Sequence, residues 1–447
     1  MTHNLSKIFP ENMRKVLVAG AGGVTGSAYC KLLNQNNIEV LALDQKEIYS
    51  DTDLLKPILW NENFKLKEIL ETVDALTLTP GVPLSGELFK TARQIEMPIF
   101  TELEYAASFL TDEQLIIISG TDGKSTTSAM VHHLLPGSWI GGNYGTPLSD
   151  YILQNTKHAQ LILELSSYQL ELCRNVKANC ALLLNIAPDH LDRYVNFEQY
   201  AKVKLSIQSL IDKSGLFITS NELYNKYGPY NQLHEPHSLI DTVNLKSKKF
   251  KITNNILQLE NLDQVKLNTT AVKGKHNYGN LLFALEAAAH QHKSIRNESI
   301  LSFQPLEHRY EEIGKDQEGN TYINDSKATT CQSAIQAVNS APGKTFWLIG
   351  GSPKGEDYSA LKSALTDEVT AILFGPEAAR LAGDFGFDCL TFVSMEETMN
   401  YIIANVDQGL IVNHRILLSP AMASFDSYPN YLERGRHFKE LAQPILD

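Results

Sequence analysis

Short runs of consecutive apolar residues recur along this chain, each followed by a glycine or polar turn and then by a stretch with helical spacing. The runs lie at residues 16–19, 40–43, 75–78, 115–118, 161–165, 181–186, 345–349, 371–374 and 415–418. Most are apolar without alternation, so both faces of such a strand must be covered, as in a parallel sheet between layers of helices. Strand and helix alternating in this way specify doubly wound α/β units.

At 447 residues the chain is long enough for about three such units. Breaks near residues 98–102 and 304–306 divide it into 1–102, 103–305 and 306–447. Between 220 and 270 the sequence turns polar and less periodic, and is read as peripheral strands of the middle unit.

Composition narrows the function classes. A net charge of −12 argues against a nucleic-acid partner, which wants a basic face. No apolar run reaches the ~18 residues needed to span a bilayer, and the first residues lack the apolar core of a secretory signal. The five cysteines are scattered and never in a C-x-x-C pair, as expected of reduced thiols in a cytoplasmic protein without a zinc site.

Two glycine turns stand out. The first, Gly20-Ala21-Gly22-Gly23-Val24-Thr25-Gly26, joins a strand to a helix start. Its G-x-G-x-x-x-G spacing differs by one residue from the dinucleotide fingerprint. A second strand ends at Asp44, about where a ribose-binding acid sits. Either NAD or a UDP-sugar fits such a turn, and so does a plain tight βα connection.

The second turn is sharper. A buried run leads into Ser119-Gly120-Thr121-Asp122-Gly123-Lys124-Ser125-Thr126, followed by a helical segment to residue 135. Backbone N–H groups of such a loop cradle phosphates, Lys124 reaches the terminal phosphates and the Ser125 hydroxyl ligates Mg²⁺. Ile118 occupies the first glycine position of G-x-x-x-x-G-K-[ST], so the loop is a shortened variant, with ATP the favoured ligand.

Polar residues punctuate the strand ends that follow. Glu164 sits in an apolar run and needs a cationic partner, Mg²⁺ or a salt bridge. His190 directly follows a strand in Asp189-His190-Leu191-Asp192-Arg193. Asn277 and Asn280, three residues apart on a helix running to about 289, face one way and either hold a base or cap the helix. Farther on come Glu307-His308-Arg309, Asn324-Asp325-Ser326-Lys327-Ala328-Thr329, Gly350-Gly351-Ser352-Pro353-Lys354 and Ser419-Pro420-Ala421-Met422-Ala423-Ser424-Phe425-Asp426. Together they give the third unit a cationic, hydroxyl-bearing face for a small anion.

In this order the segments resemble the Mur ligase family. The loop Gly120-Thr121-Asp122-Gly123-Lys124-Ser125, Gly142-Asn143, Glu164-Leu165-Ser166-Ser167-Tyr168-Gln169, Asp189-His190 and His276-Asn277 carry the likeness. The strings at 165–169, 324–329 and 419–426 resemble the branch that adds D-glutamate.

The resemblance implies a Rossmann-like N-terminal domain, a central P-loop ATPase-like parallel sheet with a side sheet, and a Rossmann-like C-terminal domain. It implies a monomeric cytoplasmic ligase of peptidoglycan precursor synthesis, joining UDP-N-acetylmuramoyl-L-alanine to D-glutamate with ATP and Mg²⁺. ATP would meet Gly120, Thr121, Asp122, Gly123, Lys124, Ser125, Thr126, Asn277, Asn280, His308, Arg309, Asp325 and Lys327. The UDP-sugar would meet Gly22, Val24, Thr25, Asp44, Gln45, Asn143, Ser166 and Gln169. D-glutamate would meet Thr329, Lys354, Ser424, Phe425 and Tyr431, and Mg²⁺ would meet Ser125, Glu164, His190 and Lys204, the last as a carbamate. Lys124, Glu164, His190 and Lys204 would carry the catalysis. Asp122 stands where the family usually has Asn, and Tyr431 where an apolar ring is common.

An NAD-dependent oxidoreductase, a non-catalytic nucleotide switch and a folate polyglutamylase are the rival readings. Glycine spacing, the cluster behind the second loop, and the strings at 325–329 and 419–426 weigh against them respectively.

Overall fold

The computed structural model describes residues 9–10, 13–45, 54–60, 65–191, 193–230, 233–259, 263–270, 272, 274–291, 295–304, 306–353 and 357–446. Lys354 and Asp192 therefore lie outside the described residues.

Each of the nine apolar runs forms a strand parallel to its neighbours. The first sheet contains β1 (Lys15–Ala19), β2 (Glu39–Asp44), β3 (Leu55–Leu59) and β4 (Ala75–Leu78) in the order β3-β2-β1-β4. The second contains β5 (Gln114–Ser119), β6 (Trp139–Gly142), β7 (Gln160–Glu164), β8 (Ala178–Leu183), β9 (Ile211–Ser220) and β10 (Ser238–Ile240). Its order is β10-β9-β8-β5-β7-β6. Beside it, β11 (Lys251–Thr253), β12 (Ile256–Gln258) and β13 (Gln264–Lys266) form a small antiparallel side sheet.

The third large sheet contains β14 (Glu311–Lys315), β15 (Thr321–Asn324), β16 (Thr345–Gly350), β17 (Val369–Phe374), β18 (Leu390–Phe392) and β19 (Arg415–Ala421). Its order is β14-β15-β19-β16-β17-β18, parallel except for β14.

No ladder among the described residues joins one sheet to another. The hydrophobic core is less partitioned. Tyr29 beneath the first sheet shares a continuous buried cluster with Tyr105 and with Tyr151 beneath the second. The helix Glu102–Ala107 is the joint. Its Thr101–Glu104 capping box fixes its start. Glu102 accepts from the backbone and hydroxyl of Ser149, and Glu104 from the backbone of Arg174 and Asn175. The sequence break at 102 thus falls on the first residue of a helix built into the middle unit.

Most of the loops considered below follow the C-terminal ends of parallel strands. There the backbone leaves the ladder, and side chains following each strand converge on one edge.

Candidate functional site

The phosphate loop follows β5. Gly120 (φ 156°) and Gly123 (φ 81°) take conformations that a Cβ disfavours, and a Cβ at Gly123 would lie 2.5 Å from Asn280 Oδ1. The helix Lys124–Leu134 starts directly after the turn. Asn185, at the end of the neighbouring strand β8, pins the loop. Its Oδ1 accepts from Thr121 N at 3.1 Å and Asp122 N at 2.9 Å, and its Nδ2 donates to Asp122 O at 3.0 Å. Lys124 Nζ bends back to donate to Thr121 O at 2.6 Å.

Glu164 closes β7, between β5 on one side, where Ile118 pairs with it, and β6 on the other, where Gly142 pairs with it. That register sets its carboxylate between the phosphate loop and the turn after β6. Ser125 Oγ donates to Glu164 Oε2, and Asn143 Nδ2 donates to Oε1 at 2.6 Å. Burial works against the charge, yet the cations of Lys124 and Arg309 and the two hydrogen bonds hold its pKa below the ordinary value. It is an ionised, buried carboxylate.

Behind the loop, Lys204 is 2% exposed and donates to Ser119 Oγ at 3.2 Å and Gly120 O at 2.8 Å. Burial, and then the charge of Lys124, push its pKa well below the ordinary value. His190 (φ 55°) lies with Nδ1 2.9 Å from Tyr168 OH and Nε2 3.3 Å from Asp189. Tyr200 OH, 2.9 Å from Thr121 Oγ1, braces the loop from the Lys204 side.

Lys124, Glu164, His190, Tyr200 and Lys204 line one cavity of about 330 Å³. Its walls include Gly123, Lys124, Ser125, Asn143, Ser166 and Asp189, and the third unit supplies Arg309, Asp325, Lys327 and Thr329. Thr121, Asp122, Thr126, Glu164, His190, Lys204, Asn277 and Asn280 line it too, whereas Gly120 and Tyr431, also expected at the site, are not among its lining residues. The Asn277–Asn280 pair is in contact, Nδ2 of Asn280 donating to Oδ1 of Asn277 at 3.3 Å. Thr330 Oγ1 reaches across to Asp122 Oδ1 at 3.3 Å, so the extra carboxylate of the loop meets the third unit. The ammonium of Lys327 sits 4.1 Å above the Tyr431 ring.

Other expected residues are placed differently. The ring of His308 is buried under the helix Tyr431–Ala442, with Asn324 Nδ2 3.0 Å from its Nδ1, and does not line the cavity. Its backbone carbonyl accepts from Lys327 N at 3.1 Å, so it braces Arg309 and Lys327 from behind. Ser424 is buried in a turn where its carbonyl accepts from Tyr428 N, and Phe425 is 74% exposed; neither lines the cavity.

Arg434 escaped the sequence reading. It is fully buried, and its guanidinium donates to Ser326 Oγ and to the carbonyls of Ser326, Gly350, Met422 and Ala423. Burial lowers its pKa to about 10. One planar fork thus ties together the loops after β15, β16 and β19. In sequence it sits between Glu433 and Arg436 and resembles a solvated helix face.

A second cleft, of about 960 Å³, opens along the first sheet. Gly22, Val24, Thr25, Asp44, Gln45, Asn143 and Gln169 line it, as expected, while Ser166 lines the other cavity. Ser166 and Gln169 are the two ends of one capping box. Asp44 Oδ2 accepts from Gly22 N at 2.9 Å, which fixes the turn. Gly26 is required for close packing, since a Cβ there would lie 2.3 Å from the Gly20 carbonyl. Asn143 borders both spaces.

Comparison with known proteins gives the same picture. A family model described as the Mur ligase middle domain matches residues 118–288. A UDP-N-acetylmuramoylalanine–D-glutamate ligase of Cytophaga hutchinsonii is 33% identical over 404 residues, covering 86% of this chain and 88% of the relative. The enzyme of that name from Christiangramia forsetii is 30% identical, covering 97% of this chain and 100% of the relative. Among solved structures, MurF from Acinetobacter baumannii aligns with a TM-score of 0.60 at 14% identity, over 95% of this chain and 93% of that one. A MurF ligase from Thermotoga maritima in complex with ADP aligns with a TM-score of 0.58 at 16% identity, over 98% and 97%.

Asp325 gives the site a measurable pH dependence. Burial raises its carboxyl to about 7, against opposing hydrogen bonds from Ser419 and Tyr310 N and with the Asp122 charge adding to the rise. The folded state therefore holds a proton that the unfolded chain releases nearer pH 4. Stability from this group is complete below the unfolded value and is lost as pH rises toward 7. Denaturant titrations of the nucleotide-free protein should show stability falling across that window, less so in Asp325→Asn. Identical slopes in the two proteins would rule this out.

Proposed function

The chain belongs to the Mur ligase family, and from that premise we propose that it joins D-glutamate to UDP-N-acetylmuramoyl-L-alanine with ATP as the driving co-substrate. The observation that carries the proposal is the chain of contacts Asn143–Glu164–Ser125. It connects a cleft shaped for a nucleotide-sugar with a phosphate loop, so that a carboxylate delivered from one meets a phosphate held in the other.

In this reading the L-alanine carboxylate attacks the γ-phosphorus of ATP, giving an acyl phosphate and ADP. The amine of D-glutamate then attacks the carbonyl carbon, the amide forms and phosphate leaves. A carboxylate is a poor electrophile until activated in this way. The chain's part is to orient the partners and neutralise charge. Gly120, Thr121, Gly123, Lys124, Ser125 and Thr126 hold the phosphates. Arg309 and Lys327 add cations from the third unit, and Asn277 and Asn280 meet the nucleoside. Thr329, on the cavity wall, takes D-glutamate, with Tyr431 beside Lys327 and, from the family resemblance, Lys354. Arg434 holds the loops that carry them. The divisions 1–102, 103–305 and 306–447 and the cytoplasmic location belong to the same proposal.

The donor set suits Mg²⁺. Ser125 and Glu164 are hard oxygen donors on one edge of the cavity, with His190 nearby. Among the described residues no group of three or more His, Cys, Asp or Glu side chains forms a metal cage. Mg²⁺ characteristically uses one or two carboxylates together with substrate phosphates. When bound, it would neutralise phosphate charge. Lys204 enters as a carbamate: its neutral amine adds CO₂ and loses a proton, replacing a buried cation with an anion on the metal side. The depressed basicity of this buried amine supports that step.

Two measurements test the proposal. Phosphate release should require ATP, Mg²⁺, UDP-N-acetylmuramoyl-L-alanine and D-glutamate together. Equal turnover with L-glutamate, L-lysine or meso-diaminopimelate would reject the named substrate. Lys204→Ala should lose activity by about a hundredfold or more, in the range for removing a positioned charge, with partial rescue by acetate. Lys202→Ala, on the same helix but more exposed, should stay near wild type. Near-normal activity of Lys204→Ala would exclude the carbamate.

A further inference from the structure

A second line of contacts joins the two cavities, and it runs through Arg193. The loop after β4 forms one wall of the nucleotide-sugar cleft, lined by Thr79, Pro80, Gly81, Val82 and Pro83. Thr79 Oγ1 donates to the Gly20 carbonyl at 3.3 Å, and a Cβ at Gly20 would lie 3.1 Å from the Val82 side chain. This wall is therefore seated on the glycine turn. From the middle unit, Arg193 Nη2 donates to the Val82 carbonyl at 3.1 Å.

The same guanidinium meets the middle unit in two other directions. Its Nε donates to Glu171 Oε1 at 3.1 Å and its Nη2 to Oε2 at 2.6 Å, a two-pronged pair whose side chains are only 13% and 8% exposed. Its Cζ lies 4.1 Å from the centre of the Tyr168 ring, and Tyr168 OH is 2.9 Å from His190 Nδ1. The backbone is tied as well, since Arg193 N donates to the His190 carbonyl at 3.0 Å. His190 holds a left-handed φ of 55°, a conformation that persists where the surroundings fix it. Tyr168 and His190 both line the phosphate-loop cavity. One flat group thus meets a carbonyl, a carboxylate and a ring face at once, which the point charge of a lysine cannot do.

We propose that Arg193 is a positioning residue with two arms. One holds the wall of the nucleotide-sugar cleft against the middle unit, and the other, through Tyr168, sets the ring of His190 beside the phosphate loop. This rests on the UDP-sugar reading of the cleft. Desolvation offsets much of the attraction within a buried ion pair, so the contribution of Arg193 and Glu171 lies in the geometry they fix.

Calorimetric binding of UDP-N-acetylmuramoyl-L-alanine to the full-length protein, without ATP or metal, and steady-state kinetics separate the two arms. Arg193→Lys keeps a cation for Glu171 but loses the fork. It should bind this substrate about tenfold more weakly, the loss expected for one hydrogen bond from a charged group. Its KM for the same substrate should rise by a similar factor, and its KM for ATP should not. Tyr168→Phe keeps the ring under the guanidinium and removes only the hydroxyl. It should bind the UDP-linked substrate as wild type does and lower kcat by about tenfold. Combining Glu171→Met with Arg193→Met leaves no buried charge unpaired. That protein should keep an unfolding midpoint near wild type and show both defects. Wild-type affinity in Arg193→Lys and in the double variant, or an unchanged kcat in Tyr168→Phe, would overturn the positioning role while leaving the cleft's substrate intact. So would a lowered unfolding midpoint with KM and kcat unchanged per folded molecule. Failure of the substrate to bind the wild-type protein would overturn the UDP-sugar reading itself and the positioning role with it.

Discussion

A single buried carboxylate organises the edge where the phosphate loop, the second cleft and the third unit meet. Glu164 stays ionised although burial opposes it, because cations and hydrogen bonds converge on it from different parts of the chain. Lys124 and Ser125 come from the phosphate loop, Asn143 from the turn after β6, and Arg309 from the third unit. A lone charge in that position would be very costly. The groups that satisfy it therefore hold the loop, the second cleft and the third unit in register around it.

The surrounding scaffold keeps the loops in place with few, multivalent polar side chains. Asn185 uses both ends of its amide on the phosphate loop. Arg434 uses its guanidinium on three segments of the third unit. Each satisfies backbone groups that would otherwise be buried without partners, which is costly for every group left unmade. Neither side chain lines the 330 Å³ cavity, yet the spacing of those that do depends on them. The contact of Thr330 with Asp122 shows the same economy between units.

How much of this was legible in sequence follows from what each feature depends on. The central strands declare themselves because both faces are buried, so 16–19 and 115–118 are apolar without a break. The edge strands β3 and β14 are partly exposed and carry polar residues, and no apolar run marks them. The phosphate loop is local chemistry in consecutive residues, and its geometry follows the motif. Roles built by long-range contact leave no such trace. Arg434 meets Ser326 across 108 residues, and His308 looks like a nucleotide ligand in sequence but is packed beneath the helix that begins at Tyr431.

We propose that Glu164 serves the reaction as an ion rather than as a packing group. Glu164→Gln separates the two, because the amide keeps a carbonyl oxygen to accept from Ser125 or Asn143 while removing the charge. Measured by Mg²⁺-dependent phosphate release with all three substrates, its turnover should fall by about a hundredfold or more, a loss typical of removing a preorganised charge, with the unfolding midpoint close to wild type. Turnover within about twofold of wild type, in a variant just as stable, would contradict it.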